Sequence, residues 1–293
     1  MTLLAHHLVG CGAARNILIV AGENRLTGQK RDEAVTALAQ VGHPAFETPL
    51  GPTVPSFYAL VASQYMARYA VTEADLAQFP VLMRHNAAMH PLAHLGSAIT
   101  VESVLASRPI STPLKLLDCC PISDGGAALV VSDTPHERAS IRILGGGQAH
   151  LHQHVTELRN VSAVGAELSA SRAEAASGMR RQDVDYLAVY DSFSITLLLL
   201  LEELGFAPRG EAAAFARAGA FAAGGARPLN THGGLLSFGH CGVAGALAHV
   251  VELCMQMEGS CGARQIKPPA SAIVHGDGGV LSSHVTLFLA RER

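Results

Sequence analysis

Asn230-Thr-His-Gly-Gly-Leu-Leu-Ser-Phe-Gly-His-Cys-Gly-Val-Ala-Gly245 is the densest glycine-rich polar stretch of this 293-residue chain. His240 stands two residues before Gly242 and directly after Gly239, at the head of an apolar, helical-looking segment that runs to about residue 258. Glycines permit close backbone approach to a ligand, and a helix N-terminus favours developing negative charge. A histidine placed there suits proton transfer or hydrogen-bond donation to an oxyanion. It also suits a loop imidazole satisfied by backbone groups.

Working outward, Val189-Tyr-Asp-Ser-Phe-Ser194 ends a strand expected at 185–190 and starts an apolar helix at 194–204. Ligands of open α/β sheets gather at such strand ends. Asp191, Ser192 and Ser194 also suit plain helix caps, whereas a cap needs no phenol such as Tyr190. A third cluster, Val274-His-Gly-Asp-Gly-Gly279, reads as a tight turn between strands at 271–275 and 284–290. Earlier in the chain, Asn16 to Ala21 (NILIVA) is a continuous apolar run of the kind buried on both faces of a sheet. Asp124 to Ser132 reads as a turn feeding a second buried strand. Helices are expected at 2–9, 56–70, 72–75, 100–107 and 162–177, with a loop-rich stretch at 23–60. Strands alternating with helices define an α/β fold with a parallel or mixed sheet. The polar break at 133–140 marks a domain boundary.

Composition narrows the function. Apolar residues make up 49% and charged residues 15%, with 29 glycines and no Trp, which suits close-packed α/β layers. A net charge of −3 lacks the basic footprint of a nucleic-acid binder. No apolar run reaches the ~18–20 residues of a membrane helix, and no signal peptide is visible. Six cysteines without CxxC spacing suit a reduced, cytoplasmic protein without a structural zinc site. His150-x-His152-x-His154 would put three imidazoles on one face if extended, but no supporting carboxylate or cysteine spacing accompanies them. Gly145-Gly146-Gly147 lacks the GxGxxG dinucleotide spacing. Cys119 and Cys120 read as packing residues.

Taken in order, these clusters resemble the thiolase superfamily, specifically the sterol-carrier-protein-2-type thiolases and related lipid-transfer proteins, over essentially the whole chain. Ile19-Val-Ala-Gly-Glu-Asn24 is similar to the strand and turn after the family's nucleophile helix, and Asn86-Ala-Ala-Met-His-Pro91 to its asparagine–proline segment. Leu117-Asp-Cys-Cys-Pro-Ile-Ser-Asp-Gly-Gly-Ala-Ala128 matches the end of its first half. Asn230 with Gly233-Gly234 and Gly239-His240-Cys241-Gly242 matches its N-x-x-GG…GHP loop.

The resemblance implies a thiolase fold: two similar halves in a layered αβαβα arrangement, with residues 1–135 a partial N-terminal domain carrying an insertion at about 24–110, and 136–293 the C-terminal domain. The family's nucleophilic cysteine would fall a few residues before Met1, so the first half is expected to be incomplete at its N-terminus. The implied activity is acyl transfer, or making or breaking a C–C bond beside a coenzyme A thioester of lipid or steroid type, as in an acetyl-CoA acetyltransferase. The alternative is a non-catalytic or partner-dependent acyl-CoA-binding subunit of a retro-aldolase complex with an OB-fold, zinc-ribbon protein. The implied catalytic residues are His240, Tyr190, Asp191, Ser192, Cys241 and His275. Tyr190-Asp-Ser-Phe193 stands at the family's NEAF or HDCF loop, so Tyr190 replaces a histidine and Ser192 a cysteine. The 274–279 turn stands at its CxG loop, where no cysteine remains. Asn230, Gly233, Gly234, Gly239, Asp277 and Gly278 are the implied substrate or coenzyme A contacts. No metal and no resident cofactor is implied; an acyl-CoA is the substrate, and a homodimer or heteromer is expected. By the family's habit, apolar residues of 43–66 would line a lipid or steroid pocket. His240 and Tyr190 are expected to meet in one cleft.

Overall fold

A computed structural model describes residues 1–135 and 141–292. The elements in chain order are α1 (Thr2–Gly10), β1 (Asn16–Asn24), α2 (Arg31–Ala39), α3 (Val54–Tyr69), α4 (Glu73–Leu76), α5 (Gln78–Ala87), α6 (Val101–Ala106), β2 (Pro109–Ser111), β3 (Leu114–Lys115) and β4 (Asp124–Ser132). They continue with β5 (Ile141–His150), α7 (Ala166–Ser177), β6 (Tyr186–Val189), α8 (Ser194–Glu203), α9 (Ala212–Arg217), α10 (Gly234–Ser237), α11 (Val243–Glu258), β7 (Ser271–Gly278) and β8 (Ser283–Arg291). The boundary expected at 133–140 falls mostly on residues 136–140, outside the described residues.

The layers follow from which faces are apolar. Strands β5-β8-β7-β6 form a mixed sheet in that order, parallel only between β6 and β7. Alternation along β7 and β8 sends Ile273 and Phe288 to one core and Ala272, Val274, Leu287 and Leu289 to another. The first core is closed by α7, α8 and α3. The second is closed by α1 and α11, whose far sides rest on an antiparallel pair, β1–β4. The result is four stacked layers, helix–sheet–helix–sheet, consistent with a thiolase fold. No helix among the described residues is long and apolar enough to cross a membrane.

Several expectations need correction. β1 and β4 are not buried on both faces. Ile17, Ile19 and Leu129 face the helices, whereas Leu18, Val20 and Val130 are 65%, 67% and 61% exposed, because no described element covers the outer face of this two-stranded sheet. The stretch read as loop contains α2. The helix expected through 235–258 is broken at residues 238–242, where Gly239 (φ 135°) and Gly242 (φ 57°) adopt left-handed conformations. The acidic end of the apolar run 195–201 is satisfied locally by backbone amides. Glu202 accepts from Gly210 N (2.9 Å) and Ala212 N (3.0 Å), and Glu203 from Val164 N (3.0 Å) and Gly165 N (2.9 Å).

Candidate active site

Tyr190 leaves β6 at its carboxyl end, its amide donating to His275 O (2.9 Å) on the neighbouring parallel strand. His240 sits in the break between α10 and α11, held through its own amide to Pro121 O (3.2 Å) and its carbonyl to Ser123 N (3.1 Å). These two backbone anchors bring the side chains together: the Tyr190 hydroxyl lies 2.9 Å from His240 Nε2, with the rings edge to face. Burial, and next the nearby Arg25 cation, lower the His240 imidazole to about 4. Burial, and next the Asp277 carboxyl, push the Tyr190 phenol well above its ordinary value. At neutral pH both groups are therefore neutral, and phenol and imidazole share one hydrogen bond.

The residues around this pair explain their sequence. Asn230, fully buried and left-handed (φ 43°), spends its side chain on the end of β6, accepting from Val189 N (2.9 Å) and donating to Val189 O (2.7 Å). Asp191 accepts from Leu235 N (2.7 Å) and stands 3.3 Å from His249 Nε2. A Cβ on Gly234 would sit 1.9 Å from Asp191 Oδ2, and one on Gly233 would sit 2.5 Å from Ala87 Cβ. A Cβ on Gly239 would sit 2.6 Å from Ser123 Oγ. These glycines are thus required by packing within the chain. The α11 N-terminus does not wait for substrate charge: Glu23 accepts from Val243 N (3.0 Å) and pairs with Arg25.

The other expected residues separate. Ser192 Oγ is buried without a well-formed hydrogen bond near the phenols of Tyr190 and Tyr58. Cys241 turns its sulfur toward Gly125 of β4, and burial raises its thiol. His275 does not reach Tyr190 through its ring: Nδ1 lies 2.9 Å from Thr286 Oγ1 and Nε2 lies 3.2 Å from His284 Nδ1. Gly278 is a strand residue opposite Ser283. The three imidazoles at 150–154 diverge, with His152 near Val280 O and His154 near Val41 O. Two residues outside the expected set join the centre. Tyr58 of α3 stacks on Phe193 (4.2 Å between centroids) and donates to Gly279 O (3.3 Å). Cys120, whose amide donates to Ser192 O (3.0 Å), lies close enough to raise both phenols. Tyr58 is part of an apolar helical stripe that reads as core, and Cys120 of an apolar segment; only the adjacency of Cys120 to the Pro121–Asp124 motif marks it.

The family model described as "Thiolase C-terminal domain-like" matches residues 147–291. An acetyl-CoA acetyltransferase of Methanothermobacter thermautotrophicus is 32% identical, over 92% of this chain and 72% of the relative. A steroid side-chain-cleaving aldolase of Thermomonospora curvata is 35% identical, over 77% of this chain and 60% of the relative. Among solved structures, the "Ltp2-ChsH2(DUF35) aldolase" superposes with TM-score 0.83 at 30% identity, covering 98% of this chain and 75% of that one. The chain belongs to the thiolase superfamily. Within it, the chain stands with the sterol-carrier-protein-2 type, whose rabbit member is 29% identical over 81% of this chain.

Proposed function

We propose that this protein makes or breaks a C–C bond beside an acyl-CoA thioester, with Tyr190 and His240 as its acid/base pair. The observation that carries this reading is the 2.9 Å contact between the two side chains, formed by loops far apart in sequence. In the proton-abstracting direction the phenol oxygen takes a proton from the substrate carbon or hydroxyl and passes its own to His240 Nε2; the reverse step returns it. Asn230, Gly233, Gly234 and Gly239 serve the pair by fixing its backbone rather than by touching acyl-CoA. Relatives named acetyl-CoA acetyltransferase support acyl transfer, and those named for steroid side-chain cleavage support a lipid or steroid acyl chain. No resident cofactor enters the scheme. Six free cysteines support a reducing, cytoplasmic setting. The division into domains at 1–135 and 136–293 is supported by the family match lying wholly inside the second.

The test is exchange of solvent deuterium into the α-carbon of propionyl-CoA, together with cleavage of acetoacetyl-CoA, in the intact protein. His240→Ala and Tyr190→Phe are expected to slow both by about 100-fold or more; unchanged rates would remove the pair from the mechanism. A second reading, a retro-aldolase subunit dependent on an OB-fold partner, is favoured by the solved aldolase neighbour with its DUF35 protein. It requires turnover that appears only when such a partner is added, and turnover by the homomeric protein alone excludes it.

A further inference from the structure

The segment that carries His240 takes its shape partly from what stands at either end of it. Gly239 and Gly242 both lie in the left-handed region, so residues 238–242 have backbone freedom that their neighbours must remove. Before the segment stands α10, whose first turn is capped by Asp191, which accepts from Leu235 N (2.7 Å) and Leu236 N (3.4 Å). After it stands α11, which brings His249 to the same carboxyl, with Nε2 3.3 Å from Asp191 Oδ1. Asp191 also follows Tyr190 directly in the chain. One carboxyl therefore meets the end of β6, α10 and α11, the three elements that flank the pair. Both partners are dry, Asp191 at 0% and His249 at 2% exposure. Among the described residues His249 is the only side chain that pairs with Asp191 as an ion. The contact is an ion pair rather than a well-aligned hydrogen bond, and Nδ1 of the same ring has no partner. The other titratable groups near these two are Cys120 and Tyr190 around Asp191, and His232 and His240 around His249.

We propose that His249 is a positioning residue for the acid/base step: its Nε2–H, set against Asp191, ties α11 to the residue beside Tyr190 and keeps the phenol and the His240 imidazole at hydrogen-bonding distance. The inference rests on the reading of Tyr190 and His240 as the acid/base pair. A buried carboxylate is costly unless donors or a cation face it. The two amides that face Asp191 both belong to α10, so they brace Tyr190 against α10 alone. His249 is the group that extends the brace across to the helix following His240. Burial, the largest influence, pushes the Asp191 carboxyl up, and His249 comes first among the groups that pull it back. Proton transfer needs donor and acceptor within about 2.6–3.2 Å. A misplacement of about 1 Å can cost as much as about 100-fold in rate. His249 touches neither Tyr190 nor substrate in this scheme and acts through Asp191.

The experiment measures kcat and KM for deuterium exchange into propionyl-CoA in the intact protein, for wild type, His249→Leu and His249→Gln. Leucine fills the site without a donor, whereas the glutamine amide can place an N–H where Nε2 stands. His249→Leu should lower kcat by about tenfold or more with KM within about twofold. His249→Gln should return kcat to within about threefold of wild type. Combining His249→Leu with Asp191→Asn should slow exchange no further than the slower single variant, because the two act as one unit. A wild-type kcat in His249→Leu overturns the proposal. So does a folded His249→Gln protein as slow as His249→Leu, which would reduce the residue to a packing role, or a double variant whose losses multiply. If His249→Leu does not fold, His249→Met takes its place with the same readouts. Unchanged exchange in Tyr190→Phe would instead defeat the underlying pair, whereas loss there with a wild-type rate in His249→Leu defeats only the role of His249.

Discussion

At the scale of single residues, the site is built by side chains spent on backbone. Asn230 clamps the end of β6, and Asp191 caps the first turn of α10 through Leu235 N. Both are buried polar groups whose cost is recovered only because every strong donor or acceptor is paired. Gly234 is the weak point of this arrangement, since its left-handed φ of 59° and the 1.9 Å approach of Asp191 Oδ2 leave no space for a methyl group. Gly234→Ala should therefore displace Asp191 and cost about 2–4 kcal/mol of stability. Urea unfolding checks this, and a change under about 0.5 kcal/mol would mean the Asp191 cap is not formed as described. Because α10 leads directly into Gly239 and His240, the same variant should also slow α-proton exchange.

At the scale of elements, close approach between layers decides which glycines are fixed. The run Gly145–Gly147, which carries no dinucleotide motif, lies where α7 crosses β5. A Cβ on Gly147 would stand 2.2 Å from Ser169 O, and one on Gly145 would stand 2.7 Å from Ser177 N. Gly147→Ala must push α7 off the sheet. It should lower Tm by roughly 3–5 °C, taking about 2–3 kcal/mol of overpacking in a chain of this size; a thermal melt equal to wild type would show that the helix yields freely. Such contacts mark what the sequence conceals. The helical runs at 54–69, 166–177 and 194–203 and the strand runs of the second half are legible because each packs apolar residues against a core, α8 and the central strands on every side. The exposure of β1 is not legible because a run of apolar residues looks alike whether one face is covered or two. α2 is hard to read because RDEAVTALA has little apolar face; its one local signal is Glu33, which accepts from Lys30 N (3.4 Å) at the start of the helix. In the site, His240 and Tyr190 were legible from ordered loop motifs. Tyr58 stays hidden because it comes from a helix whose residues read as core. The surroundings of His275 are set by strand pairing, which places Thr286 and His284 against its ring.

At the scale of the whole molecule, burial has placed an unusual set of neutral histidines between the layers. His284 lies between Leu281 O (3.1 Å from Nε2) and His275 (3.2 Å from Nδ1) and is lowered to about 4, chiefly by burial. His275 and His232 are lowered well below their ordinary value, again by burial first and a neighbouring histidine second. Protons are taken up by these imidazoles in the unfolded chain, near pH 6.5, before the folded protein accepts them. The unfolded state therefore binds more protons in this window, and stability must fall as pH drops from about 6.5 toward 4. Raised carboxyls such as Asp277 and Asp191 act in the opposite sense, since the folded state takes up their protons first. The net slope is a contest, so the separable quantity is the contribution of one histidine. For His284 the difference between 6.5 and about 4 amounts to about 2 kcal/mol lost between pH 7 and pH 5. His284→Gln loses a hydrogen bond and should be less stable at pH 7. It should also lose less stability than wild type on going to pH 5, by about that same 2 kcal/mol. Urea midpoints at the two pH values measure both numbers. If the pH dependence of the variant equals that of wild type, the imidazole is already able to charge in the folded protein, and the dry packing of β8 against α7 that holds it neutral is wrong.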